Sequence, residues 1–143
     1  MALTEMLNKD PEEDLPGLED EVAERWRQLG PLSLAEIAEH GNDIDYSKDI
    51  KRYDDGSAPI YIGQLNSDND CDGICRKVFD TDIYEGQFKD DELNGYGRKI
   101  SEYCYEIGQF KNGKLHGKGK KVDFDSGNVC GYTSSEEDTI YLG

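Results

Sequence analysis

The residues able to do chemistry in this chain are few, and their spacing argues against most reactions. Cysteines stand at positions 71, 75, 104 and 130, and histidines at 40 and 116. No cysteine pair has the Cys-x-x-Cys spacing of a redox or zinc site, so Cys71, Cys75, Cys104 and Cys130 are expected as reduced thiols. Asp68, Asp70, Asp72 and Gly73 make the opening of a calcium loop, but the twelfth place, where a bidentate glutamate should close it, is Phe79. A tight turn uses the same residue types, so no bound metal is expected. The chain has no Gly-x-Ser-x-Gly elbow and no phosphate loop ending in Gly-Lys-Ser/Thr. An enzyme is therefore not expected, nor a cofactor, nor a small-molecule substrate.

The charged residues say more. A formal net charge of -16 disfavours nucleic acid as a partner of the whole chain. The charge is uneven, however. Residues 1–56 hold 6 basic and 16 acidic side chains, and 57–143 hold 10 and 16. Lys111, Lys114, Lys118, Lys120 and Lys121 crowd into eleven positions without a carboxylate. On a strand, Lys118 and Lys120 share one face and Lys121 takes the other. Such a strip is either a solvated strand face or a dock for acidic protein tails or anionic lipid heads. The net charge opposes a negative membrane, which makes lipid the secondary expectation.

The elements that would position these groups are thin. Only 35% of residues are apolar while 34% are charged, and 16 glycines and nine tyrosines suit a β architecture of rings packed on small neighbours. Met1 to Asp10 lacks the apolar run of a secretory signal, and nothing approaches the roughly 20 apolar residues that span a bilayer. A cytoplasmic location is the resulting expectation. Residues 1–58 read as an acidic arm with two short helices and a linker. The first 15, acidic and containing Pro11, are expected to form a flexible or partner-ordered arm. Leu18, Val22, Trp26 and Leu29 then recur at helical spacing before Gly30 and Pro31. A shorter helix follows over Leu34 to His40, with Ser33 and Glu36 placed as a capping box. Trp26 and its stripe either cover a sheet face or dock into a partner.

The remainder repeats itself. Gly63, Gly86, Gly108 and Gly131 fall at intervals of 23, 22 and 23, in the contexts Tyr61-Ile-Gly-Gln-Leu65, Tyr84-Glu-Gly-Gln-Phe88, Glu106-Ile-Gly-Gln-Phe110 and Val129-Cys-Gly-Tyr-Thr133. A second block follows at a fixed offset: Asp72-Gly-Ile-Cys-Arg-Lys-Val78, Asn94-Gly-Tyr-Gly-Arg-Lys-Ile100 and His116-Gly-Lys-Gly-Lys-Lys-Val122. Each unit is too short for a βαβ crossover and fits two strands and a turn. Strands are predicted to pair at 61–65 with 73–78, 84–88 with 95–100, and 106–110 with 117–122. The glycine between two rings is expected to make room for a ring from the adjacent hairpin.

This pattern resembles the membrane occupation and recognition nexus (MORN) repeat family, in which a Tyr-x-Gly-x-aromatic strand precedes a Gly-x-Gly strand. The resemblance covers about residues 59–132, and Tyr84–Gly97 carries it best. It implies a mostly β fold: a single-layer antiparallel meander of hairpins, three repeats and a partial fourth over 59–143, preceded by two short helices. It also implies a scaffold or adaptor in a larger assembly, cytoskeletal or ciliary. The expected partner-binding residues are Trp26, Tyr84, Phe88, Tyr96, Tyr105 and Phe110 as ring anchors, with Lys118, Lys120 and Lys121 as the basic strip. The runner-up is a peripheral membrane adaptor that uses a basic ladder continued through Arg76, Lys77, Arg98 and Lys99.

Overall fold

Two-residue turns shape the repeat half. Asp90 and Asp91 both take positive φ (50° and 69°), as do Asn112 and Gly113 (52° and 80°). This is the backbone that matches the right-handed twist of two paired strands, so each turn closes a tight hairpin. In the computed structural model, which describes residues 2–134 and 139–142, the hairpins chain into one antiparallel sheet in sequence order. Its strands are β1 (Lys51–Tyr53), β2 (Ile60–Leu65), β3 (Cys71–Val78), β4 (Asp82–Lys89), β5 (Glu92–Ser101), β6 (Cys104–Lys111), β7 (Lys114–Asp123), β8 (Val129–Ser134) and β9 (Thr139–Leu142). The three predicted pairings are present as β2–β3, β4–β5 and β6–β7. Neighbouring repeats are also stitched at their tips: Asp91 N–H donates to Cys71 O (3.0 Å), and Gly113 N–H donates to Leu93 O (2.9 Å).

Among the described residues four helices precede the sheet: α1 (Leu3–Asn8), α2 (Pro11–Asp14), α3 (Asp20–Leu29) and α4 (Leu34–His40). The two expected from the sequence are α3 and α4, and Ser33 caps α4 by accepting from Glu36 N–H. The flexible or partner-ordered arm expected over residues 1–15 is instead α1 and α2, ordered against the chain's own sheet. Asp10 caps α2 and Pro11 opens it. Leu3, Met6 and Leu7 of α1 are buried with Leu32, Ile37, Ile60, Ile62 and Ile74. A six-residue helix offers too few turns for its apolar spacing to register in the sequence. The linker expected between the second helix and residue 59 also supplies an edge strand, β1, paired to β2.

Strand alternation gives the sheet two unlike faces. Ile62, Ile74, Val78, Ile83, Ile100 and Tyr105 point to the face that the helices cover, where Leu18, Val22, Ala23 and Trp26 of the α3 region complete a second core. Of the two readings of Trp26, the structure has it covering the sheet. The opposite face packs within its own layer, with Leu65, Cys71, Cys75, Phe88, Leu93 and Phe110 buried among Tyr61, Tyr84 and Leu115.

Candidate functional site

Each residue of the repeat signature has a distinct task. Gly86 stands at φ 135° opposite Gly97, and a Cβ on it would collide with the Gly97 Cα and the Tyr96 carbonyl. Gly108 and Gly119 repeat the pair one hairpin later. The glycine therefore admits the backbone of the adjacent strand, and not the ring expected from the sequence. The next residue, Gln64, Gln87 or Gln109, is skipped in the strand register at each bulge. Its side-chain carbonyl accepts the N–H of Ile74 (2.9 Å), Tyr96 (2.9 Å) or Lys118 (3.3 Å), replacing the ladder bond that the bulge removes.

The two basic residues of the second block part ways. Arg76 and Arg98 enter the helix-covered face and hold Glu85 between them, with Arg76 Nε at 2.8 Å and Arg98 Nε at 2.9 Å from its carboxylate. The Trp26 Nε1–H adds one more donor, shared between the two carboxylate oxygens at 3.2 and 3.3 Å. Arg76 also donates to Lys9 O, Leu7 O and Asp14, and Arg98 donates to Gly30 O. Burial alone would raise the Glu85 pKa. The two guanidiniums outweigh it, and their hydrogen bonds help hold the carboxyl below its ordinary value. This cluster fastens the helices to the sheet.

Lys77 and Lys99 lie on the other face, between rings. Lys77 Nζ sits 5.3 Å from the Tyr61 ring centre and 5.9 Å from that of Phe88, and donates to Asp91 O at 2.9 Å. Lys99 Nζ sits 4.9 Å from Tyr84 and 5.8 Å from Phe110, and donates to Gly113 O. The expected basic ladder is thus corrected at these four places. Arg76 and Arg98 are consumed by the helical layer, and Lys77 and Lys99 by the rings and turns.

The expected ring anchors do not share a surface. Trp26 and Tyr105 are buried under the helices, and Tyr96 donates its hydroxyl to Glu36 at 3.0 Å. Burial and then that carboxylate push the Tyr96 hydroxyl pKa up. Phe88 and Phe110, each 4% exposed, are core residues of the opposite face, where Tyr84 is half-buried beside them. An aromatic binding surface spanning all six is corrected accordingly. Lys118, Lys120 and Lys121 are exposed. Lys118 and Lys120 share the helix-covered side, beyond the helices' reach, and Lys121 pairs in register with Glu106 on the other.

The remaining candidates are structural. Asn66 accepts from the N–H groups of Asp68 and Asp70, forming the turn the sequence suggested, and Asp72 lies near Lys48. Cys75 donates to Gln64 O at 3.1 Å, and its contact with Cys71, followed by burial, pushes the Cys71 thiol pKa up. Among the described residues no group of three or more His, Cys, Asp or Glu is gathered to hold a metal ion. No described helix is long and apolar enough to cross a membrane. The side chain of Cys130 lies outside the described residues.

Sequence reasoning missed Glu85 and the three glutamines. The glutamines had a signal, since the same residue follows the glycine in three successive repeats. Glu85 had none, because its counterpart one repeat later is Ile107. Against known families, the MORN repeat model matches residues 84–101 and 107–127. No curated protein matches the chain.

Proposed function

Since the chain is a MORN-repeat protein, we propose that it acts as a non-catalytic protein–protein adaptor in a larger assembly, cytoskeletal or ciliary in setting. The repeats of this family are commonly binding modules for proteins or membranes. We assign the dock to the β7 strip, where Lys118, Lys120 and Lys121 meet an acidic segment of a partner protein. One observation carries the assignment. At the same rung of successive repeats, Arg76 and Arg98 are buried against Glu85, whereas Lys120 is exposed. No described carboxylate lies within 4 Å of Lys118, Lys120 or Lys121. A basic strip within an acidic chain favours an acidic partner by steering and by pairing.

The test is affinity capture of native partners by the wild-type chain and by the triple variant Lys118→Glu, Lys120→Glu, Lys121→Glu, with folding checked by circular dichroism. Partners that bind the wild type and are lost with the folded variant support the reading. Partners retained by the variant contradict it. The membrane reading is decided separately by sedimentation with anionic vesicles at physiological salt. Each lysine is worth about 1 kcal/mol near such a surface, so strong, lysine-dependent sedimentation would replace the protein partner with lipid.

A further inference from the structure

The three bulge glutamines have a second hydrogen-bonding half, and it is used in one consistent way. With its carbonyl turned to the neighbouring strand, each amide NH2 is left pointing to the helix-covered side. Gln109 Nε2 donates to His40 O (3.3 Å), Gln87 Nε2 to Asn42 O (2.6 Å) and Gln64 Nε2 to Asp45 O (2.7 Å). Asn42 N–H returns a bond to Gln87 Oε1 at 2.9 Å, so the middle glutamine grips one residue through both its N–H and its carbonyl. Residues 40–45 therefore run across the strands from the third repeat to the first, one glutamine per repeat, read through their main chain.

Beyond these bonds, Ile44 packs on the first core, the His40 ring lies 5.5 Å from that of Tyr96, and Lys48 donates to Asp72 O just past the strap. Asn42, Asp43, Asp45 and Tyr46 are exposed, Ile44 is half-buried, and a cleft of about 240 Å³ opens beside the strap, lined by Asn42 to Asp45, Gln64, Gly73 and Gln87. Its ends are anchored independently. Ile37 of α4 is fully buried, and Ile50 packs on the core just before β1. The strap can open while both anchors stay, the kind of local transition that exposed, sparsely packed segments undergo.

The sheet is also built to receive it. A Cβ on Gly73, Gly95 or Gly117 would strike the side chain of Gln64, Gln87 or Gln109 respectively, so the first glycine of each second block clears space for the ladder. On the strap, a Cβ at Gly41 would strike Gln87 Oε1 and come within 2.8 Å of Ile37 O.

We propose that the glutamine ladder Gln64–Gln87–Gln109 is a reader of peptide main chain, that residues 40–45, from the last carbonyl of α4 onward, are its resident ligand, and that an extended segment of a partner protein, with glycine at the position of Gly41, takes the strap's place. Recognition is through main-chain groups, with glycine as the one side-chain requirement. The ladder meets β7 at the Lys118 backbone N–H, which Gln109 accepts, and the proposal uses none of the lysine side chains.

The experiment uses the full chain carrying Gly41→Val, whose side chain meets Gln87 and the Ile37 carbonyl and is expected to displace the strap, and a fluorescein-labelled peptide copying residues 37–47. Fluorescence anisotropy should show saturable binding to the folded variant and about tenfold weaker binding to the wild type, whose own strap competes. Adding Gln87→Leu to the variant should weaken binding about tenfold, as the two bonds to one residue are lost. A peptide with valine in place of its glycine should not bind. No saturable binding to folded Gly41→Val, or binding that survives both changes, overturns the proposal. Should Gly41→Val fail to fold, hydrogen exchange on the wild type decides. The Asn42 amide should exchange through a local opening, well ahead of Phe88 and Ile100. Exchange of Asn42 only with global unfolding would sink the idea.

Discussion

The second and third repeats begin from nearly the same sequence and end in different surroundings. In the second, Glu85 lies between Arg76 and Arg98 beneath Trp26, and all four are buried. In the third, Ile107 takes the carboxylate's place and Lys120 is exposed beside it. The backbone does not distinguish them, since Gly86–Gly97 and Gly108–Gly119 make the same glycine pair and both hairpins close with two positive-φ residues. Repeat residues thus set strand register and spacing. What covers the sheet decides whether a rung becomes core or surface.

The comparison is broken most severely within the cluster of Glu85, Arg76 and Arg98. Glu85→Ala leaves two buried guanidiniums without their shared carboxylate, and should cost about 3–5 kcal/mol. Urea unfolding checks this, with Ile107→Ala as the partner measurement in the third repeat. That change removes only half-buried apolar contacts, so it should cost less than Glu85→Ala. Equal losses would mean the ion cluster does not fasten the helices.

Acid should act at the same place. The folded Glu85 pKa lies below its ordinary value of 4.5, so the unfolded chain takes up its proton first as pH falls. The stability from this shift is present above the ordinary value and lost as pH falls through the folded one. Glu85→Gln should therefore flatten the acid limb of a stability–pH profile. An unchanged slope would place the acid sensitivity on other carboxylates.

A smaller effect is expected at the feature the repeats share. Gly86→Val adds a Cβ against backbone at positive φ, which should cost about 2–4 kcal/mol from overpacking and backbone strain together. Gly108→Val meets the same backbone one hairpin on, and should lose a similar amount if the glycine pair belongs to the repeat and not to its surroundings. Melting temperatures of the two variants make the test. Gly17→Ala, with nothing within 4 Å of the added carbon, is the control.

What the sequence made legible follows the same division. Hairpin pairing, the alternation of Lys118 and Lys120 against Lys121, and helix α4 with its Ser33 cap were readable, because each depends on local spacing. The helical layer was only half readable. Trp26 announced α3, but Leu3, Met6 and Leu7 gain their burial from Ile60, Ile62 and Ile74, more than fifty residues away. Phe88 and Phe110 were misjudged for a related reason. A single sheet without a second layer is expected to leave rings uncovered, yet here they are covered within the layer by Leu93, Leu115 and the stems of Lys77 and Lys99.

The mildest change falls on the strip that the helices do not reach. Lys118 and Lys120 are exposed, and neither has a described carboxylate within 4 Å. Lys118 contributes to the ladder through its backbone N–H to Gln109, which a new side chain leaves in place. Lys118→Glu with Lys120→Glu should therefore change stability by no more than about 0.5 kcal/mol per site, the ordinary range for surface substitutions. Arg98→Glu, at the rung matching Lys120, sets a second negative charge beside buried Glu85 and should unfold the chain. Thermal unfolding of the two variants separates surface from core in one experiment. If the lysine variant proved as damaging as Arg98→Glu, β7 would belong to the packed body, and the dock assigned to it would have to be sought elsewhere on the sheet.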